Sequence, residues 1–205
     1  MKKLTTCLLI LVLIIPNITI AEDTENFYTR AEFSKIVYEL IFGDKNIPNA
    51  LPLGNIFDDV PDDHWVCKYL SLIIPTRIVY GYGDGTFRPD NLILNEEAVK
   101  MLVAALGYNS KVSEVSKEKE IPVYPFGYLE VAEEIGVMED VEIVVGEYLT
   151  KDILCKLVNN SLDIQLMSIT GNHDVIDKTF RTGNWQNKSV YYNGEDWIID
   201  EEEYS

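Results

Sequence analysis

The sequence predicts a mainly α-helical protein made of a repeated helix-loop-helix unit. Two observations carry that prediction. Three segments, "YTRAEFSKIVYELI" (28–41), "ILNEEAVKMLVAAL" (93–106) and "LTKDILCKLVNNSL" (149–162), align without gaps, and self-similarity of this kind marks a repeat architecture. Inside each segment the apolar residues recur at helical spacing. Phe33, Ala98 and Leu154 share one column, and Lys35, Lys100 and Lys156 are each followed by an apolar pair.

The elements can be justified in chain order. Met1-Lys2-Lys3, the apolar run Leu8 to Ile15 and the small-residue stretch ending at Ala21 read as a secretory signal over 1–21. The apolar run is too short to span a bilayer comfortably; an uncleaved N-terminal anchor is the alternative. The first helix copy starts at Thr29, which has Glu32 three residues on, the spacing of a capping box. Thr150 repeats the cap, whereas Leu94-Asn95 in the middle copy suggests a cap shifted to Asn95. "GDKNIPNALPLGN" (43–55) and "YNSKVSEVSKEKEIP" (108–122) read as linking loops.

A second block, "FDDVPDDHWVCKYLSLIIPTRIVYGYGDGTF" (57–87), holds a turn, Trp65, a helical stripe through Tyr69 and Leu72, and a glycine loop. "YPFGYLEVAEEIGVMEDV" (124–141) echoes it without the loop, placing Tyr124 like Trp65 and Gly136 like Arg77. Gly81, Gly83 and Gly85 suggest left-handed backbone. Such a loop could cradle an anion, hold a metal or simply reverse the chain. The alternating acids and the twelfth-position glutamate of an EF-hand are absent, which argues against calcium.

Composition narrows the function classes. The 205-residue chain carries 17 Lys+Arg against 34 Asp+Glu, a formal charge of −17, and losing Lys2 and Lys3 with the signal takes it to −19. Such a chain is repelled by nucleic acid and by anionic membranes, so neither is an expected partner of the mature protein. An anionic polymer would have to be held by a few placed cations and backbone dipoles. Cys7 leaves with the signal; Cys67 and Cys155 read as buried thiols, with a disulfide as the alternative, and are too few for a zinc site.

These residues resemble the S-layer homology family, whose unit runs F-x-D-V, W-A, G-I-I-x-G-Y-x-D-G-T-F-x-P and then a T-R-A-E helix. The matches are Phe57-Asp59-Val60, Trp65, Ile78-Val79, Gly81 to Pro89, and Thr29-Arg30-Ala31-Glu32. The arrangement is similar to modules of clostridial surface proteins. The resemblance implies three helix-loop-helix units around a pseudo-threefold axis, with a partial unit at 22–43, a full one at 56–108 and a degenerate one at 122–165. It implies secretion and non-covalent attachment to a secondary cell-wall polysaccharide on the peptidoglycan of a Gram-positive-type bacterium. The polymer would be anionic and pyruvylated, lying in grooves between units, with other surface-layer proteins as further partners.

The resemblance also implies the site. Arg30 offers a planar fork suited to a carboxylate, at a helix start that favours anions, and pairing with a surface carboxylate is its plainer role. Thr29 and Glu32 complete its motif. Lys151, beside Thr150, keeps the charge in the third copy. Asn95 loses it in the second, where Arg88 is expected to compensate from the loop. Asp59 and Asp84 read as turn or cap residues first, Trp65 as core before sugar platform, Phe87 as the buried anchor of the loop and Tyr82 as a ring for stacking on sugar. Lys35, Lys100 and Lys156 read as snorkelling stems.

No catalytic machinery is expected. "ITGNHDVI" (169–176) looks like a metallophosphoesterase segment, and Asp62-Asp63-His64 supplies an Asp-x-His, but the chain has only His64 and His173, too few for a two-metal site. No nucleophile, base and orienter assemble. Neither a metal nor a cofactor is expected. The tail, 166–205, reads as β-rich, with a strand from Gln165 to Thr170, a hairpin turning at Asn193-Gly194 and an acidic end. The expected protein is an anchor with little or no cargo. The alternative is a degenerate structural or interaction protein of the cell envelope that binds no sugar.

Overall fold

A computed structural model describes residues 26–43, 56–167, 175–179, 188–192 and 197–201. The expected signal segment, most of the first linker and the Gly171 to Asp174 stretch lie outside them. Six α-helices are described: α1 (Arg30–Phe42), α2 (Cys67–Ile73), α3 (Asn95–Ala105), α4 (Asn109–Glu118), α5 (Tyr128–Glu134) and α6 (Lys151–Leu162). Four short strands follow, β1 (Gln165–Met167), β2 (Val175–Thr179), β3 (Lys188–Tyr192) and β4 (Trp197–Glu201), paired antiparallel as β1 with β2 and β3 with β4. The protein is mainly helical. The paired ends Tyr192 and Trp197 leave four residues between them; the expected Asn193-Gly194 turn is among these and lies outside the described residues.

The repeated helices α1, α3 and α6 begin in register. Arg30, Asn95 and Lys151 are their first residues, preceded by Thr29, Leu94 and Thr150 in extended backbone. Thr29 and Glu32 form a full capping box: the Thr29 hydroxyl accepts from the Glu32 N–H at 3.2 Å, and the Glu32 carboxylate accepts from the Thr29 N–H at 2.8 Å. Thr150 accepts from the Ile153 N–H. The expected shift of the middle cap to Asn95 does not occur. Leu94 takes the cap position with no side-chain bond of its own, and the Glu97 carboxylate accepts its N–H at 3.1 Å. That carboxylate supplies half of a capping box, so no hydroxyl is needed.

The segments entering these three helices pair with one another through isolated antiparallel bridges, Phe27 to Thr150, Thr29 to Leu92 and Leu94 to Tyr148. The bonds include Ile93 N–H to the Tyr28 carbonyl and Leu149 N–H to the Ile93 carbonyl. Helix starts that share backbone bonds send their apolar faces to one centre. Phe33, Ala98 and Leu154, the column read from the sequence, have no solvent exposure. Each large side chain buried there contributes about 1.5–3 kcal/mol. Cys67 and Cys155 are both buried in the same fold.

Two expectations about local structure are corrected. Residues 108–122 are not simply a loop, because 109–118 form α4. Val112, Val115 and Ser116 fall on one buried face, and Lys111 and Lys119 pair with Glu134 and Glu130 of α5. Mixed charge here decorates an amphipathic helix. Trp65 is not core: it is 45% exposed, against the His64 and Tyr69 rings, while its neighbours Val66 and Cys67 turn inward. Its counterpart Tyr124 is 44% exposed. The other aligned pair, Arg77 and Gly136, both take left-handed backbone, at φ 60° and 89°.

Candidate functional site

The glycine loop is tied down before it can present anything. Gly83 and Gly85 take left-handed backbone at φ 82° and 86°. Gly81 does not; it serves close approach instead. A Cβ there would sit 2.5 Å from the Phe57 ring and 2.7 Å from the Thr86 carbonyl oxygen. Phe87 is the buried anchor, its ring 5.3 Å from that of Phe57. Asp59 reaches across from the preceding turn, and its two carboxylate oxygens accept from the Phe87 N–H at 2.8 Å and the Arg88 N–H at 2.6 Å. Asp84 accepts from the Thr86 N–H and hydroxyl and from Arg88 Nη2 at 2.8 Å. Those bonds, Thr86 first, hold its carboxyl down to about 2. Both aspartates therefore act as loop staples, as their turn-residue reading expects.

The loop closes over the start of α1. Arg30 is only 6% exposed. Its Nε donates to the Phe87 carbonyl at 2.9 Å, Nη1 to Glu97 Oε1 at 2.9 Å and Nη2 to the Tyr80 carbonyl at 3.2 Å. Tyr82 covers this pair. Its hydroxyl donates to Glu97 Oε1 at 2.7 Å, and the guanidinium carbons of Arg30 and Arg88 lie 4.5 and 4.2 Å from its ring centre. Burial and the Glu97 bond push the Tyr82 phenol up to about 12. Arg88 thus joins the Arg30 cluster rather than compensating for Asn95.

A cavity of about 320 Å³ opens on this cluster, lined among others by Arg30, Tyr80, Tyr82, Glu97, Lys100 and Tyr124. The sequence placed Arg30, Gly81 and Tyr82 at the site, and the fold brings them together here. Glu97, Lys100, Tyr80 and Tyr124 escaped sequence reasoning. Two of them carried a signal: Glu97 occupies the column of Glu32, and Lys100 that of Lys35 and Lys156. Lys35 and Lys156 pair with Glu39 and Asp152 on their own helices, whereas the half-buried Lys100 lines the cavity.

The remaining site candidates lie apart from this cavity's lining. Thr29 and Glu32 satisfy one another at the helix cap. Thr150 and Lys151 stand at the start of α6, and Asn95 at that of α3. Trp65 is grouped with His64 and Tyr69. His64 Nδ1 accepts the Val66 N–H at 3.2 Å, a turn role that leaves its Asp-x-His spacing structural. Among the described residues, no group of three or more His, Cys, Asp or Glu is placed to hold a metal ion. No described helix is long and apolar enough to cross a membrane.

Residues 56–99 match the family model described as S-layer homology domain. The chain is 27% identical over 139 residues to the middle cell wall protein of Brevibacillus brevis, covering 68% of this chain and 12% of that protein. It is 21% identical over 148 residues to a cell surface protein of Thermoanaerobacter kivui, covering 72% and 18%. Over 105 residues it is 28% identical to the cellulosome-anchoring protein of Acetivibrio thermocellus, covering 51% and 23%. The chain spans less than a quarter of the length of each of these relatives.

Proposed function

Starting from the S-layer homology domain carried by residues 56–99, we propose that this protein is a cell-surface module that holds an anionic secondary cell-wall polysaccharide. The observation that carries the reading is the meeting of the T-R-A-E arginine with the glycine loop in one aromatic cleft: Arg30, Tyr82 and Lys100 line the same cavity. Exposed Tyr80, Tyr82 and Tyr124 offer apolar ring faces for sugar, beside polar groups that fix its orientation. The names of the relatives, a cell wall protein, a cell surface protein and a cellulosome-anchoring protein, support surface attachment. With a formal charge of −17, the chain supplies no general field for an anionic polymer, so local cations must do the holding.

The proposed module is 22–165, with 166–205 as an appended tail and 1–21 as an export signal. The three bridges between helix starts support an approximate threefold arrangement of its units. The ligand is proposed to be pyruvylated, because a carboxylate matches the cationic cleft. The role is binding rather than catalysis, with the 81–88 loop and Lys151 as contact stations and the buried Arg30 holding the loop in place.

One observation favours a second reading, a structural envelope module without sugar binding: Glu97 already neutralises the buried Arg30. Co-sedimentation with purified sacculi separates the two. The binding module pellets with intact sacculi and stays in solution with sacculi stripped of their secondary polymer. Equal binding to both, or to neither, overturns the proposal.

A further inference from the structure

The cation best able to meet a ligand in this cleft is not the arginine of the motif. Arg30 is 6% exposed, and its Nε, Nη1 and Nη2 all donate within the protein. Arg30, Lys35, Arg88, Lys111, Lys119 and Lys156 each pair with a carboxylate. Lys100 differs. Among the described residues its ammonium makes no ion pair or hydrogen bond. It lies 5.0, 5.4 and 6.0 Å from the ring centres of Tyr80, Tyr124 and Tyr128. Ring faces attract a cation without consuming its hydrogens, so three N–H donors remain for a ligand.

We infer that Lys100 is the residue that takes the carboxylate of an acidic glycan in this cleft, with Tyr80 and Tyr124 as the flanking sugar-facing rings. The inference rests on the polysaccharide-binding reading above and sharpens it by assigning the anion contact. Three independent placements converge on it. Lys100 comes from the middle of α3, Tyr80 from the loop before Gly81, and Tyr124 from the segment leading into α5. Burial, and then the charge of nearby Arg30, hold the Lys100 ammonium below its ordinary value. Glu97 offsets these only in part, and an arriving carboxylate would add the attraction that favours the charged form. Arg30 then acts as a positioning residue, fixing the Tyr80 carbonyl, Glu97 and the loop around the cavity.

The test uses the full chain, sacculi whose secondary polymer carries pyruvate acetals, and the same sacculi after mild acid has removed the acetal. Lys100→Met keeps the apolar stem and loses the charge; Lys100→Arg keeps a charge. The inference expects Lys100→Met to bind intact sacculi roughly ten- to a hundredfold more weakly than wild type, the cost of one charged hydrogen-bonded contact. Lys100→Arg retains most of the affinity, and Lys100→Met and wild type match on acid-treated sacculi. Unchanged binding by Lys100→Met, or an equal loss on both kinds of sacculi, overturns the inference and leaves the polysaccharide reading standing. Failure of the wild type to bind intact sacculi overturns that reading, and the inference with it. Far-ultraviolet circular dichroism of each variant checks that a loss is not one of folding.

Discussion

The starts of α1 and α3 occupy the same station in the repeat and have been given opposite chemistry. At α1, Arg30 is buried, bonded through all three of its guanidinium nitrogens and covered by a tyrosine, and a cavity opens beside it. At α3, Asn95 is also buried. Its Nδ2 donates to the Val144 carbonyl at 3.2 Å, while its Oδ1 has no hydrogen-bond partner. The next residue, Glu96, places a carboxylate on the Gly146 N–H at 3.0 Å. A backbone donor that could have faced an anion is thus taken by the protein's own acid. The repeat has copied the backbone and the helix start without copying the charge, so a shared fold does not by itself multiply the site.

The largest effect expected from that contrast is on stability. Arg30→Met leaves Glu97 charged and buried without its cation, at a cost of about 3–5 kcal/mol. Asn95→Ala removes a buried oxygen that has no partner along with one modest bond, and should stay within about 1 kcal/mol. Urea unfolding of the two variants measures both, and equal losses would break the comparison.

Next comes the loop that shapes the α1 site. Gly81→Ala drives a Cβ into Phe57 and the Thr86 carbonyl and should cost about 2 kcal/mol. Gly83→Ala meets nothing within 4 Å and costs only its left-handed backbone, about 1 kcal/mol. The order Gly81 above Gly83 in thermal unfolding is the checkable result; the reverse would mean that close approach does not set the loop.

The last expected effect is a titration, which leaves the fold intact until the pH is high. Tyr82, pushed up to about 12 by burial and its bond to Glu97, contributes stability that is complete below the ordinary tyrosine value near 10 and is lost as pH rises through 12. Following the Tyr82 ring by NMR should give a midpoint near 12. A midpoint near 10 would mean that the lid over Arg30 is open.

Much of this was legible in the sequence because it depends on short-range pattern. The column of Phe33, Ala98 and Leu154 and the caps at Thr29 and Thr150 follow from spacing, and the anchoring of the loop by Phe87 from the family resemblance. What escaped depends on tertiary context. Residues 109–118 form a helix on only two apolar anchors, Val112 and Val115, with α5 supplying the charges that complete it. The exposure of Trp65 reflects which neighbour turns inward, and in Trp65-Val66-Cys67 all three are apolar. Lys100 shares its column with two lysines that pair along their own helices. Only the arrival of tyrosines from two other segments gives it a different task.

The most direct test of the central claim is an amide NMR titration of the protein with the soluble, pyruvylated secondary polymer. The account predicts shifts concentrated at 80–88, around Glu97 and Lys100, and at Tyr124, with Asn95 and Gly146 little changed. Shifts centred on Asn95 and the 143–148 loop, or none at saturating polymer, would contradict it.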